Sequence, residues 1–205
     1  MDDKCDKPEG ARHRCDERAG ARRQQILDAA AQCFREHGFH SAGMQLIART
    51  AGMSAGHIYH YFENKEAIIA AIVAGDEAIT QSRFDDFRRE PDVLQAMVEQ
   101  ADRGLDRSLD ATRSALLTEI NAESGRNPRV AALVRASDEA LRAQLCELIG
   151  RIHPEASDDR RRAAQAELIL TVFDGLRVRG LRHPDLDRDA VLDLLRPVLR
   201  RILEG

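Results

Sequence analysis

The stretch Ile47-Ala-Arg-Thr-Ala-Gly-Met-Ser-Ala-Gly-His-Ile-Tyr-His-Tyr-Phe-Glu-Asn-Lys65 leaves little freedom in how it folds, because its small, apolar and polar residues fall where two short helices crossing at a tight turn require them. Ile47, Ala48 and Ala51 form an apolar face on the first helix, and Gly52 follows with the residue type that reaches positive φ without steric cost. Ser54 caps the next helix with a hydroxyl that accepts from otherwise orphaned N–H groups. Ile58, Tyr61 and Phe62 then recur at helical spacing and can face inward, which turns Ala55, Gly56, His57, Tyr59 and His60 outward. Ala48 keeps the crossing close, since a larger side chain would hold the helices apart. The pattern is a helix-turn-helix, whose second helix can enter a DNA major groove.

Apolar periodicity predicts further helices along the chain and no strand. The first spans 21–37, burying Ile26, Leu27, Ala30 and Phe34 and stopping at Gly38; the second and third cover 44–51 and 55–61. Asn64 caps a fourth that runs from Lys65 to about Arg88 and carries Ile68, Ile69, Ile72, Ile79 and Phe87 on its stripe. A fifth over 91–107 opens on Pro91, a sixth runs from Asp110 to near Gly125, and Asn127-Pro128 opens a seventh that keeps an apolar face through Ile152. Ser157 is expected to cap an eighth over 158–182, and Asp187 or Asp189 to start a ninth in which Pro197 costs about 3 kcal/mol or forces a kink. The fold class is therefore all-α with about nine helices: a three-helix helix-turn-helix domain over 21–80 and a larger C-terminal helical bundle over 81–205. Residues 1–20, charged, poor in large apolar side chains and broken by Pro8, Gly10 and Gly20, read as a disordered tail.

The net charge of −4 argues at first against a nucleic-acid partner, but the charge is unevenly distributed. Residues 21–65 hold five Lys/Arg against three Asp/Glu, whereas residues 66–205 hold twenty-one against twenty-six. The basic excess coincides with the helix-turn-helix, and four of the seven histidines lie beside it. In the first twenty residues the charges nearly cancel, unlike a phosphate-binding arm. With no apolar run long enough to span a membrane and no signal-like start, the chain is expected to be soluble and cytoplasmic, with Cys5, Cys15, Cys33 and Cys146 as free thiols. His57 and His60, with His37, His40 and Cys33, lack the convergence a structural zinc site needs, so no metal and no cofactor are expected. No nucleophile motif and no Gly-rich phosphate loop after a strand is present, which speaks against an enzyme.

Taken together, Ile26-Leu27-Asp28-Ala29-Ala30, Cys33-Phe34, Gly38-Phe39, Ile47-Ala48, Ala51-Gly52-Met53-Ser54, Gly56, Ile58-Tyr59, Tyr61-Phe62 and Asn64-Lys65-Glu66 closely resemble the TetR family of transcriptional regulators, over about a quarter of the chain. The departure is Ser41-Ala42-Gly43-Met44, where the family usually opens its second helix with Thr or Ser; Ser41 or a backbone N–H would have to replace that phosphate contact. The resemblance implies base-edge contacts from Gln45, Ala55, Gly56 and Tyr59, and backbone contacts from Ser54, His57, Tyr61 and Lys65. The residue chemistry agrees: Gln can bond adenine at two atoms, Ala can meet a thymine methyl, and Gly56 allows close backbone approach. His60 is a further phosphate candidate, and Tyr61 is open to either core packing or phosphate contact. The resemblance also implies a small-molecule effector cavity within the bundle, for which Phe84, Phe87, Met97, Leu105, Leu117, Asn121 and Phe173 are the candidates, each open to plain core packing instead. Asp102, Asp106, Glu119, Glu123 and Asp174 are acids that could meet a cationic effector. Finally, it implies a homodimer through the last two helices, at Leu168, Val172, Leu176, Leu195, Val198 and Ile202, bound to a palindromic double-stranded operator. The function so implied is a ligand-responsive repressor; a DNA-binding protein without an effector is the alternative.

Overall fold

The computed structural model describes residues 9–155 and 158–205, and among these every regular element is a helix. The chain divides into two compact units between Ile72 and Val73. The first contains α1 (Glu9–Ser41), α2 (Met44–Thr50), α3 (Ala55–Tyr61) and the start of α4 (Lys65–Arg89). The second contains the rest of α4, then α5 (Val93–Glu99), α6 (Ala101–Leu109), α7 (Ala111–Ser124), α8 (Pro128–Ile152), α9 (Asp159–Arg182) and α10 (Arg188–Glu204). The boundary expected at 80/81 thus lies eight residues earlier, inside a helix whose periodicity passes through without interruption.

In the first unit Ile26, Phe34, Ile47, Ile58, Ile68 and Ile69 are fully buried and supply the core. Gly38 takes φ 72° and ψ 162°, which ends the straight run of α1 one turn before Ser41. Gly52, at φ 65°, ends α2 in the left-handed region: its N–H donates to Arg49 O and the Met53 N–H to Ala48 O at 2.9 Å, the paired bonds of a Schellman cap. Ser54 Oγ accepts from His57 N at 3.2 Å and Asn64 Oδ1 from Ala67 N at 2.8 Å, so both expected caps form. Gln25 Nε2 donates to Ala51 O at 2.8 Å, tying α1 to the end of α2. Ahead of this core the structure differs from the expected tail, because α1 is already helical from Glu9. Ala, Arg, Glu and Gln dominate 9–25, and such residues extend an anchored helix without a core of their own. The remaining tail residues, 1–8, lie outside the described residues.

The second unit is built around Leu105, Leu145, Leu148, Ile149, Ala166, Ile169 and Leu203. The single helix expected over 91–107 is two, and the total is ten among the described residues. Asp92 caps α5 through Gln95 N and Gln100 (φ −88°, ψ 17°) interrupts the run; both pieces pack on α10, but α5 also meets α8 whereas α6 meets α9 and α7. The packing of α6 on α9 is close. An ideal Cβ on Gly104 would lie 2.7 Å from Phe173 Cε1, so only glycine lets the α9 ring reach α6. Asp110, Asn127, Asp158 and Asp187 cap α7, α8, α9 and α10 through their carboxylate or amide oxygens; the cap expected from Ser157 falls outside the described residues. Pro197 sits inside α10 without dividing it, on an exposed face.

Gly52 offers a clean test of the turn. No atom lies within 4 Å of an added Cβ, so Gly52→Ala meets backbone strain alone. It should cost about 1–2 kcal/mol in denaturant unfolding, and Gly52→Asn distinctly less. Equal stability for all three chains would mean that the left-handed cap is dispensable.

Candidate functional site

Seven residues give α3 two faces. Ile58 is fully buried and Phe62, just after the helix, is 4 % exposed, which fixes the helix on the core of its unit. Gly56, His57, Tyr59 and His60 face solvent, with Ala55 and Tyr61 half-buried. Tyr59 is 55 % exposed, with its ring and hydroxyl on the outer face of α3. Tyr61 is held edge-on by both neighbouring imidazoles, with centroids 5.4 Å from those of His57 and His60. Gln45 is exposed in the first turn of α2. No side chain caps that helix, and Ala42, where the family resemblance expects a hydroxyl nearby, is fully buried as part of the core. The predicted DNA-facing residues Gln45, Ser54, Gly56, His57, Tyr59 and His60 thus all reach the surface of one unit.

Lys65 has another task. Its Nζ donates to Phe39 O at 2.5 Å and to His40 O at 3.3 Å, and it lies 4.2 Å from the centre of the Phe39 ring. The ammonium therefore closes the carbonyl end of α1 from the first residue of α4. Sequence spacing could not show this, because Phe39 and Lys65 are 26 residues apart. Cys33 likewise serves the core, its Sγ donating to Thr50 Oγ1 at 3.3 Å; among the described residues no three His, Cys, Asp or Glu side chains gather as metal ligands.

The second unit holds a partly open cavity of about 670 Å³. Six of the seven residues expected there, Phe84, Phe87, Met97, Leu117, Asn121 and Phe173, line it. The seventh, Leu105, is fully buried in the surrounding core and does not. Its i, i+3, i+4 spacing on a packed helix places it equally well in either. The proposed cationic-ligand acids also fail as a group: Asp106 pairs outward with Arg188 at 2.5 Å, and of the five only Asp174 lines the cavity, where Arg177 holds it at 3.1 Å. What the sequence reading missed is basic. Arg83, Arg107, Arg113, Arg135 and Arg177 line the space against Asp76, Asp138 and Asp174. Asp76 accepts from Arg107 Nη2 at 2.6 Å and from Arg113 Nε and Nη2 at 2.8 and 2.7 Å. Burial pushes the Asp76 carboxyl up, but these hydrogen bonds and charges outweigh it and hold it below the ordinary value. A signal was present: Asp76, Thr80 and Arg83 stand on the same stripe of α4 as Phe84 and Phe87, polar residues where a plain core would be apolar.

The apolar residues assigned to dimerisation separate into two groups. Leu168 and Val198 are exposed, Val172, Leu176 and Ile202 half-buried, and Leu194, which had not been selected, is 71 % exposed. Leu195 instead is 5 % exposed and belongs to the chain's own core. On α10 the exposed edge of the apolar stripe runs through Leu194 and Val198, and Leu195, next to Leu194, faces inward.

Comparison with known proteins agrees with both halves of this description. Residues 26–72 match the family described as "Bacterial regulatory proteins, tetR family", and residues 91–204 match "BetI-type transcriptional repressor, C-terminal". The HTH-type transcriptional regulator UidR of Escherichia coli K12 is 33 % identical over 170 residues, 82 % of this chain and 85 % of that one. The HTH-type transcriptional repressor Rv1474c of Mycobacterium tuberculosis is 33 % identical over 185 residues, 88 % and 94 % of the two chains. The solved structure of Salmonella enterica GusR is similar at a TM-score of 0.68 with 31 % identity, over 90 % of this chain and 96 % of that one.

If the Lys65 ammonium holds α1 to α4, Lys65→Met should lower stability by about 1–3 kcal/mol in the absence of DNA, the range for hydrogen bonds to a charged group. Chemical denaturation of the free protein measures it. An unchanged midpoint would leave Lys65 free for phosphate instead.

Proposed function

Because this chain belongs to the TetR family of bacterial transcriptional regulators, we propose that it is a ligand-responsive repressor that binds a palindromic operator as a homodimer. It acts in the cytoplasm, performs no catalysis, and leaves the operator when a small molecule fills the bundle cavity. One observation carries the reading. α4 begins in the helix-turn-helix unit, and further along the same helix Val73, Asp76, Thr80, Arg83, Phe84 and Phe87 line the cavity. A ligand touching that many positions of one helix has differential contacts to offer, which a change in DNA affinity requires. The sign of regulation is supported by the relative named as a repressor.

DNA recognition is assigned to the outer face of α3 and to Gln45, with Gln45, Ala55, Gly56 and Tyr59 at base edges and Ser54, His57, His60 and Tyr61 at the backbone. Each base contact then accounts for one position in a half-site. Gly56 separates binding from folding, since no atom lies within 4 Å of an added Cβ there. Gly56→Ala should leave the protein as stable or slightly more so, as expected for alanine in a helix, yet weaken operator binding by keeping the backbone from the groove. Gln45→Ala should cost about 1–3 kcal/mol at one or two operator positions. Operator libraries selected by the wild type and each variant check this; identical base preferences for Gln45→Ala would refute its assignment.

The dimer rests on the exposed apolar side chains of α9 and α10, Leu168, Leu194 and Val198, with the half-buried Val172, Leu176 and Ile202 behind them. A two-fold pair would carry recognition helices to successive major grooves, about 34–36 Å apart. Val198→Glu should yield a folded monomer, because an unpaired charge in the seam is costly to bury. Leu195→Glu should instead unfold the bundle, since Leu195 is core. Sedimentation and melting of the two variants distinguish them, and a wild-type monomer at micromolar concentration would refute the dimer.

A further inference from the structure

Among the charged side chains of the cavity, Arg83 is the anomaly. Asp76 takes up Arg107 and Arg113, and Asp174 takes up Arg177, whereas the nearest charges to Arg83 are mostly of its own sign. Burial draws its guanidinium below the ordinary value, and Arg107, Arg103 and Arg113 draw it further down against the opposing charge of Asp102. The pKa of a guanidinium is so high that the group stays charged regardless, so the cost is borne as unfavourable energy and not relieved by proton loss. Its position is also defined. Arg83 Nη2 lies 3.6 Å from the point where a Gly104 Cβ would stand, beside the Phe173 ring that the same glycine admits. The cavity lining also has large apolar side chains, among them Phe87, Leu141, Leu145 and Leu199.

We infer that the cavity binds an amphiphilic anion, a carboxylate carried on an apolar body, with the carboxylate on Arg83 and the Arg107–Asp76–Arg113 cluster and the body against Phe84, Phe87 and Phe173. The charges favour it. Three arginines against one aspartate leave this end of the cavity positive, so a cation is repelled and a neutral ligand leaves Arg83 as strained as before. A planar carboxylate matches the guanidinium fork with two parallel hydrogen bonds, which a hydroxyl or an ammonium cannot do. A wholly polar anion would satisfy the arginines and forfeit the apolar walls. The inference rests on reading this cavity as the effector site, but the chemistry it names can be tested apart from DNA release.

The test uses the full-length protein and three probes of equal chain length: octanoate, octanol and octyltrimethylammonium, titrated calorimetrically at low and high salt. Octanoate should bind at least tenfold more tightly than the other two, with an affinity that falls as salt rises. Arg83→Met should erase that preference, Arg83→Lys should retain part of it, and Arg142→Met, an exposed arginine of α8 away from the cavity, should leave it unchanged. Melting curves establish which variants fold; should Arg83→Met not fold, the wild-type selectivity and the Arg83→Lys variant decide. Equal affinities for the three probes, a preference for the ammonium, no detectable octanoate binding, or octanoate binding indifferent to Arg83→Lys and Arg83→Met would each overturn the inference. A mobility-shift assay run alongside keeps the two readings distinct: selective octanoate binding that leaves the operator complex intact would sustain the anion site and refute ligand-driven release.

Discussion

A helix of seven residues cannot satisfy its own ends, and the DNA-facing unit contains two of them in succession. With only two turns each, α2 and α3 leave most of their polar backbone groups unpaired unless something else supplies partners. The unit answers with the Gly52 cap, the Ser54 hydroxyl, the Gln25 amide on Ala51 O and the Lys65 ammonium on the end of α1. The first two close the end of a single helix locally, whereas the Gln25 amide ties α1 to α2 and the Lys65 ammonium ties α4 to α1. The outward display of Tyr59 and its neighbours is therefore a tertiary property. It persists because Ile58 and Phe62 are buried in a core shared with α1 and α4, and because Gln25 of α1 holds the end of α2.

That arrangement also clarifies the departure at Ala42. A hydroxyl there would be an unpartnered polar group in a fully buried position, at a cost of roughly 1–3 kcal/mol unless it found an acceptor. With alanine the position serves packing alone, and the hydroxyl that stays exposed ahead of the uncapped first turn of α2 is that of Ser41. The same economy governs Lys65: a cation already engaged by two carbonyl oxygens has less to offer a phosphate.

How much of this was legible in the sequence depends on whether the determining contact was local. The helix-turn-helix, its caps at Ser54 and Asn64 and its glycine at 52 were readable, because their partners lie within five residues. So were six of the seven residues expected at the cavity, since large apolar side chains on long helices border either core or cavity. Leu105 and Leu195 were misassigned for one reason: periodicity gives a helix its apolar stripe but does not say which edge of the stripe is covered by the chain itself. The split between α5 and α6 has no local signature because Gln100 is an ordinary helix former, and the pieces differ only in the distant helices they meet besides α10, α8 for one and α9 for the other. The engagement of Arg107 and Arg113 by Asp76, more than thirty residues away, has no sequence signature beyond misplaced polarity on α4.

The division of charge over the chain acquires a physical meaning from these placements. The helix-turn-helix region carries only a small basic excess, so one unit neutralises few phosphates, and binding that depends on counterion release would be weak for a monomer. Two units on one duplex act at high effective concentration, and their contributions multiply provided that both meet their half-sites together. A regulator built this way is sensitive by construction: a ligand need not abolish either contact, only prevent their simultaneous formation. A coupling of about 1.4 kcal/mol changes occupancy constants tenfold, a modest demand on a helix that begins in one unit and lines the cavity of the other with six of its side chains.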